Sequence, residues 1–306
     1  MVYTLTLNPA IDYKIVVEGF QTGCLNHIIR NNFFAGGKGI NVSNVLKNFE
    51  IESVALGFLG GFTGDYIRSY LDLMGIKHDF VSISDNTRIN IKMMSDGEET
   101  EINGKSPVIL ESDFQSLILK LKNLDKDMLI MSGSVPSSLG CQAYNEIAKS
   151  LASNVKLIID TSGPALQEII GLKPFLIKPN INELKELLGM NLTSSRELIN
   201  AGCELMERGV QNIIISMGSE GAVFINNKDD ACLASVPQIN SLSTIGAGDS
   251  VVAGFVYAYQ NGNSLLDSFR FGVASGTATA LRGQLCSLDD VKDIFDKVKL
   301  EYLSLM

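Results

Sequence analysis

From about residue 53 onward, short apolar runs alternate with stretches in which apolar residues recur every three to four positions. SVALGFL precedes a helical pattern over 64–74, MLIMSGS one over 138–152, KLIID one over 164–171 and FLIKPN one over 181–189, and NIIISMG follows later. Strands this continuously apolar are covered by helices on both faces, which predicts an α/β fold built on a central, mostly parallel, doubly wound sheet. The C-terminal part carries helical periodicity over 247–261, 264–282 and 288–303. Four early segments differ: 12–17, 27–34, 88–94 and 98–102 have mixed polar and apolar faces, and Ser95-Asp96-Gly97 between the last two is a hairpin signal. In RINIKMM a period of two puts Arg88, Asn90 and Lys92 on one face and Ile89, Ile91 and Met93 on the other. These segments predict a small β-sheet lid, from about 12–34 and 86–104, growing out of a single domain over 1–306. A sheet with an apolar face needs a cover, supplied by closure over substrate, by a second lid in a homodimer, or by both.

Composition narrows the function classes. The chain has 306 residues, 45% hydrophobic and 19% charged, enough to bury a large core. Lys plus Arg number 25 against 34 Asp plus Glu, a net charge of −9 with no basic stripe, so neither nucleic acid nor an anionic membrane is an expected partner. An anionic small substrate would have to be met by individually placed cations, which gives weight to Lys38 and Arg88. The cysteines at 24, 141, 203, 232 and 286 are widely spaced and odd in number, as expected of reduced thiols serving as small core residues in a cytoplasmic protein. The first residues read as a strand without a basic leader, and no apolar run approaches a membrane span. With only His27 and His78 and no carboxylate cluster at ligand spacing, any metal is expected to arrive with a phosphate ligand.

The residues with most chemistry are Gly246-Ala247-Gly248-Asp249, opening the run SVVAGFVYAY. Small residues at a helix start let backbone N–H groups converge on an anion, where the helix dipole helps. A carboxylate there is repelled by phosphates, but a base for a nucleophilic hydroxyl needs one; an Asp favoured by the dipole alone is the bland alternative. Gly36-Gly37-Lys38-Gly39-Ile40-Asn41 has the makings of a phosphate or sugar cradle, although it lacks the Walker A spacing and also suits a plain strand-to-helix turn. Asp12, in NPAID, can accept hydrogen bonds from two vicinal hydroxyls or cap a turn. Asn180 and Glu183 in IKPNINEL have capping-box spacing, and equally can position Mg²⁺-bound water. Ser216-Met217-Gly218-Ser219-Glu220-Gly221 is a tight strand-to-strand turn on which a nucleotide can lie. Glycines in 57–64 and 132–136 also fall at strand ends, where open α/β sheets bind ligands. A dinucleotide fingerprint is missing from the first βα turn, which reads NPAID.

In order and spacing, the Gly-Gly segment at 36–41, N-x-x-E at 180–183, S-x-G-x-x-G at 216–221 and GAGD at 246–249 resemble the ribokinase-like (PfkB) sugar kinases across essentially the whole chain. TLTLNPAID, AGGKGINV, ALGFLGGFTG, TRINIK and ETEING resemble the members that act on ketohexose phosphates. The resemblance implies a ribokinase-like fold and transfer of a phosphoryl group from ATP, with Mg²⁺, to fructose 1-phosphate, with tagatose 6-phosphate as the alternative acceptor. It implies Asp249 as base and the amides of Gly246, Ala247 and Gly248 as anion hole. It assigns Asp12, Gly36, Gly37, Lys38, Asn41, Arg88 and Asn90 to the sugar phosphate. It assigns Asn180, Ser216, Gly218, Gly221 and Gly248 to the nucleotide, and Asn180 and Glu183, through water, to the metal. Two positions depart from the pattern: Cys24 stands where some relatives have Lys, and Thr244 where Asp or Asn often precedes the GAGD loop.

Overall fold

The computed structural model describes residues 1–192, 194–226, 230–238 and 241–303, without the side chains of Ser195 and Asp230. The chain begins with β1 (Val2–Thr6), leaves the core for β2 (Ala10–Val17) and β3 (Ile28–Gly36), and returns through α1 (Lys38–Asn48), β4 (Ser53–Gly60) and α2 (Gly61–Leu73). Two short strands, β5 (Lys77–His78) and β6 (Val81–Ile83), precede β7 (Arg88–Ser95) and β8 (Glu98–Ile102). Alternation then runs through α3 (Glu111–Leu121), β9 (Met128–Ser132), α4 (Ala143–Ser150), β10 (Lys156–Asp160), α5 (Gly163–Ile169), β11 (Leu176–Ile177), α6 (Ile181–Leu188), α7 (Ser195–Glu207) and β12 (Asn212–Ser216). The hairpin β13 (Ala222–Asn226) and β14 (Asp230–Ser235) leads to α8 (Ala247–Gln260), α9 (Leu265–Arg282), α10 (Leu288–Phe295) and β15 (Lys299–Leu303).

The large sheet has the order β15-β14-β13-β12-β11-β10-β9-β1-β4-β5, with β6 also paired to β4. It is parallel from β12 to β4 and its two short neighbours, and antiparallel from β13 to β15. Successive strand residues enter opposite cores, the physical reason for the unbroken apolar runs. Leu129, Met131, Ile159, Ile213 and Ile215 pack in one cluster with α3 to α7, whereas Met128, Ile130, Ile158 and Ile214 join α1, α8, α9 and α10 in the other.

The four early amphipathic segments form a separate sheet of order β3-β2-β7-β8. β2 and β7 are parallel, with Ala10 opposite Arg88 and Asp12 opposite Asn90, so the alternating polar positions of both strands share one face. A third cluster, including Ile11, Ala35, Ile40, Leu59 and Ile67, fastens this sheet to α1, α2 and β4.

Two expectations are corrected. The helix expected over 288–303 stops at Phe295, and Lys299–Leu303 pairs antiparallel with β14 as the outer strand. Its short KLEYL run is mostly exposed and carries too few turns for helical periodicity to decide it. The cysteines are not uniformly core residues: Cys232 and Cys286 are buried and Cys203 half-buried, but Cys24 and Cys141 are exposed. No described helix is long and apolar enough to cross a membrane.

Candidate active site

The carboxyl ends of β1, β9 and β10 open toward the polar face of the small sheet, and a cleft of about 640 Å³ lies between them. Ligand sites of open α/β sheets form at such strand ends. Asp12, Arg88, Asn90 and Lys92 line it from the small sheet, Gly37, Lys38 and Asn41 from the start of α1, and Gly246 and Asp249 from the start of α8. Gly133, Ser134, Thr161, Ser162 and Glu183 complete the core side.

Gly246, at φ +76°, turns the chain into α8, so the first-turn N–H groups of Gly248 and Asp249 lie beyond intrahelical acceptors. Ala247, expected as an anion donor, has its N–H directed at Thr244 O at 3.2 Å. Asp249 reaches the cleft from this turn but is only 6% exposed, and Asn41 Nδ2 donates to its Oδ2 at 2.7 Å. Asn41 thereby orients the carboxylate, a role the sequence did not disclose.

Burial first, then the nearby Asp160 charge, push the Asp249 carboxyl up to about 6; the Asn41 bond and the Lys38 and Lys178 charges oppose the shift. A base tuned toward neutrality is what proton abstraction from a hydroxyl requires. Activity should therefore rise with pH through an acid limb near 6, where Asp249 ionises. Because the phosphorylated acceptor that the sequence resemblance implies also titrates near that value, Asn41→Ala provides the check. Removing a bond to the ionised form should move the limb upward in kcat–pH profiles, whereas the acceptor's own ionisation would leave it in place. The folding linkage has the opposite sign: with its folded-state pKa raised, Asp249 contributes stability at low pH that is lost as pH rises through about 6.

On the small sheet, Asn90 Nδ2 donates to Asp12 Oδ1 at 3.0 Å, and Gly104 N donates to Asn90 Oδ1 at 3.1 Å. Lys92 lies 3.9 Å from Asp12 and 3.5 Å from Glu101. Gly36 does not line the cleft but sits behind Asp12: a Cβ there would stand 2.6 Å from its Oδ2. Gly36→Ala should displace the carboxylate and raise the acceptor KM about tenfold or more, the loss expected of a charge-assisted hydrogen bond. Steady-state kinetics at fixed nucleotide would show it, with kcat falling less. Arg88 Nη2 donates to Asn8 O at 3.0 Å, its buried Nε has no partner among the described residues, and desolvation lowers its pKa against the pull of Asp12.

Lys38 lines the cleft, but its ammonium is paired with the buried Asp160 at 3.0 Å. Burial works against its charge, yet Asp160, followed by Asp249, holds its pKa above the usual lysine value. Lys178 approaches the same Asp160 oxygen at 3.4 Å. Although burial raises the Asp160 pKa, the two lysines bring it below the ordinary carboxylate range. Asp160 and Lys178 were not singled out from sequence. The available signal was a charge at the carboxyl end of each apolar run, KLIID and FLIK.

Asn180 and Glu183 form a reciprocal capping box, Glu183 N to Asn180 Oδ1 and Asn180 N to Glu183 Oε2, both 2.9 Å. Glu183 also faces the cleft. Ser216, Gly218 and Gly221 lie apart from the cleft lining, around the turn joining β12 and β13. Among the described residues no group of three or more His, Cys, Asp and Glu could hold a metal ion.

A carboxylate at a helix start, facing polar groups across a cleft at the strand ends, defines the class as a small-molecule kinase of ribokinase-like fold. The chain belongs to the pfkB family of carbohydrate kinases, whose model matches residues 4–290. It is 62% identical over 302 residues to a 1-phosphofructokinase of Borreliella burgdorferi, covering 98% of each chain. It is 33% identical over 309 residues to a tagatose-6-phosphate kinase of Staphylococcus epidermidis, covering 98% of this chain and 99% of that one. The crystal structure of phosphofructokinase-2 from Escherichia coli in complex with fructose-6-phosphate superposes with a TM-score of 0.90 at 28% identity, covering 96% of this chain and 98% of that one.

Proposed function

We propose that the protein transfers the γ-phosphoryl group of ATP to D-fructose 1-phosphate, giving fructose 1,6-bisphosphate and ADP. The observation that carries this reading is Asp249, at the start of α8, facing Asp12, Asn90 and Arg88 across one cleft. Asp12 and Asn90 read the sugar hydroxyls, Arg88 meets the phosphate already present, and the free 6-hydroxyl is directed at Asp249. As the bond from that oxygen to phosphorus forms, its proton passes to the Asp249 carboxylate and the bond from phosphorus to the ADP oxygen breaks. First-turn N–H groups of α8 stabilise charge on the transferring oxygens. The nucleotide lies along Ser216, Gly218 and Gly221 toward Gly248. The donor set suits a magnesium ion held mainly by phosphate and water: Glu183, oriented by Asn180, would hold it through water, and it would neutralise phosphate charge.

A coupled ADP-release assay with fructose 1-phosphate, fructose 6-phosphate and tagatose 6-phosphate tests the proposal. The largest kcat/KM is expected for fructose 1-phosphate. A preference for either other acceptor overturns the substrate, and no ADP release with any of them overturns the kinase reading. The tagatose alternative has the Staphylococcus epidermidis relative in its favour, at roughly half the identity of the Borreliella burgdorferi one.

The small sheet acts as a lid in this reading. It exposes Ile28, Ile29, Phe33, Ile89 and Ile102, and a second copy of the chain is the proposed cover. Sedimentation should find a dimer; monomer alone at high concentration would remove this part of the proposal.

A further inference from the structure

Asn8 stands in the link between β1 and β2, where the chain first passes from the core to the small sheet, and is 5% exposed. Three groups converge on it. Its Nδ2 donates to Ser106 Oγ at 2.8 Å, on the return from β8, and to Ser134 Oγ at 3.1 Å, just past β9. Its backbone carbonyl accepts from Arg88 Nη2 at 3.0 Å. Two buried atoms of this cluster are left over: Asn8 Oδ1 and Arg88 Nε have no partner among the described residues.

A carboxylate at position 8 would suit these neighbours better than the amide does. It would accept from both serine hydroxyls and supply a counter-charge for the guanidinium, which forms no ion pair among the described residues. The amide does the reverse. With its two hydrogens directed at the serine oxygens, each hydroxyl keeps its own hydrogen to donate. Ser134 lines the cleft together with Asn8 and Arg88, so its hydrogen is offered to a ligand there while the Arg88 charge stays uncompensated. Both consequences favour an anion. We propose that Asn8 is a positioning residue for acceptor specificity: as a neutral amide it fixes Ser134 as a donor and leaves Arg88 cationic toward the phosphate of the acceptor, acting through these two groups. The inference rests on the phosphorylated-acceptor reading above.

The experiment compares Asn8→Asp, Asn8→Ala, Ser134→Ala and the double alanine variant with the parent enzyme, each first checked for a cooperative melt. Asn8→Asp keeps the shape, turns the serine hydroxyls inward and places a carboxylate beside Arg88. Its melting temperature should equal or exceed the parent's, because the two leftover atoms gain compensation. Its KM for fructose 1-phosphate should nevertheless rise about 10- to 100-fold, the loss expected when a phosphate is deprived of charge-assisted donors. With unphosphorylated fructose, kcat/KM should change less than about threefold. A residue that only supported the fold would lower the melt and harm both sugars alike. The alanine cycle tests the route through Ser134 without requiring the acid variant to fold. Alanine is neutral like the amide, so its effect on fructose 1-phosphate KM should depend on the hydroxyl, and the losses from Asn8→Ala and Ser134→Ala should be less than additive. An unchanged KM in Asn8→Asp, an equal loss with both sugars, or additive losses in the cycle would overturn the inference. A parent enzyme that does not favour the phosphorylated acceptor would instead remove the underlying reading.

Discussion

Asp249→Asn is expected to lower turnover by about 10²- to 10⁴-fold, the range for loss of a general base, while sugar phosphate binding persists. The substitution keeps the shape and removes the carboxylate's charge together with its ability to take a proton. The Asn41 amide that donates to Oδ2 at 2.7 Å can still donate to the carboxamide oxygen. Because burial already disfavours the ionised carboxyl, the variant should be no less stable at neutral pH. Steady-state kinetics would give the turnover, and calorimetry with fructose 1-phosphate the binding. Near-normal turnover in a pure preparation would reject Asp249 as base.

Arg88→Ala is expected to raise the KM for a phosphorylated acceptor by about 10- to 100-fold, corresponding to a charge-assisted hydrogen bond of about 1.5–3 kcal/mol. The guanidinium is half-buried, fixed by Asn8 O at 3.0 Å, and carries a buried Nε with no partner among the described residues. Much of its desolvation and ordering is therefore complete before any ligand arrives, the condition under which a cation binds phosphate strongly. The loss should fall on KM more than on kcat. It should also nearly vanish with unphosphorylated fructose as acceptor; an equal loss with both sugars would show that Arg88 only supports the fold.

Periodicity in the chain disclosed the α/β alternation because each parallel strand feeds two cores, as Ile213, Ile214 and Ile215 do. The small sheet was legible for the opposite reason, its strands alternating polar and apolar residues. The short KLEYL strand was hidden because its partner β14 lies 64 or more residues earlier, as in the pairing of Ser235 with Lys299, and local pattern carries no pairing information. Glycines and acids at strand ends marked the site from sequence. Its electrostatic arrangement stayed hidden: Lys38 and Asp160 are 122 residues apart, and Asn41 and Asp249 are 208 apart. A lysine in a Gly-rich turn suggests a phosphate contact; only folding brings Asp160 to it.

The parallel pairing of β2 with β7 has a consequence for how such an enzyme diversifies. Asp12 and Asn90 face each other in one register on the small sheet, whereas Asp249 and its amides belong to α8 in the core. In the proposed function, the parts that read the acceptor's hydroxyls and the parts that perform the chemistry are thus encoded on separate scaffolds. Changes in the small sheet can retune which sugar is accepted without rebuilding the machinery that moves the phosphoryl group.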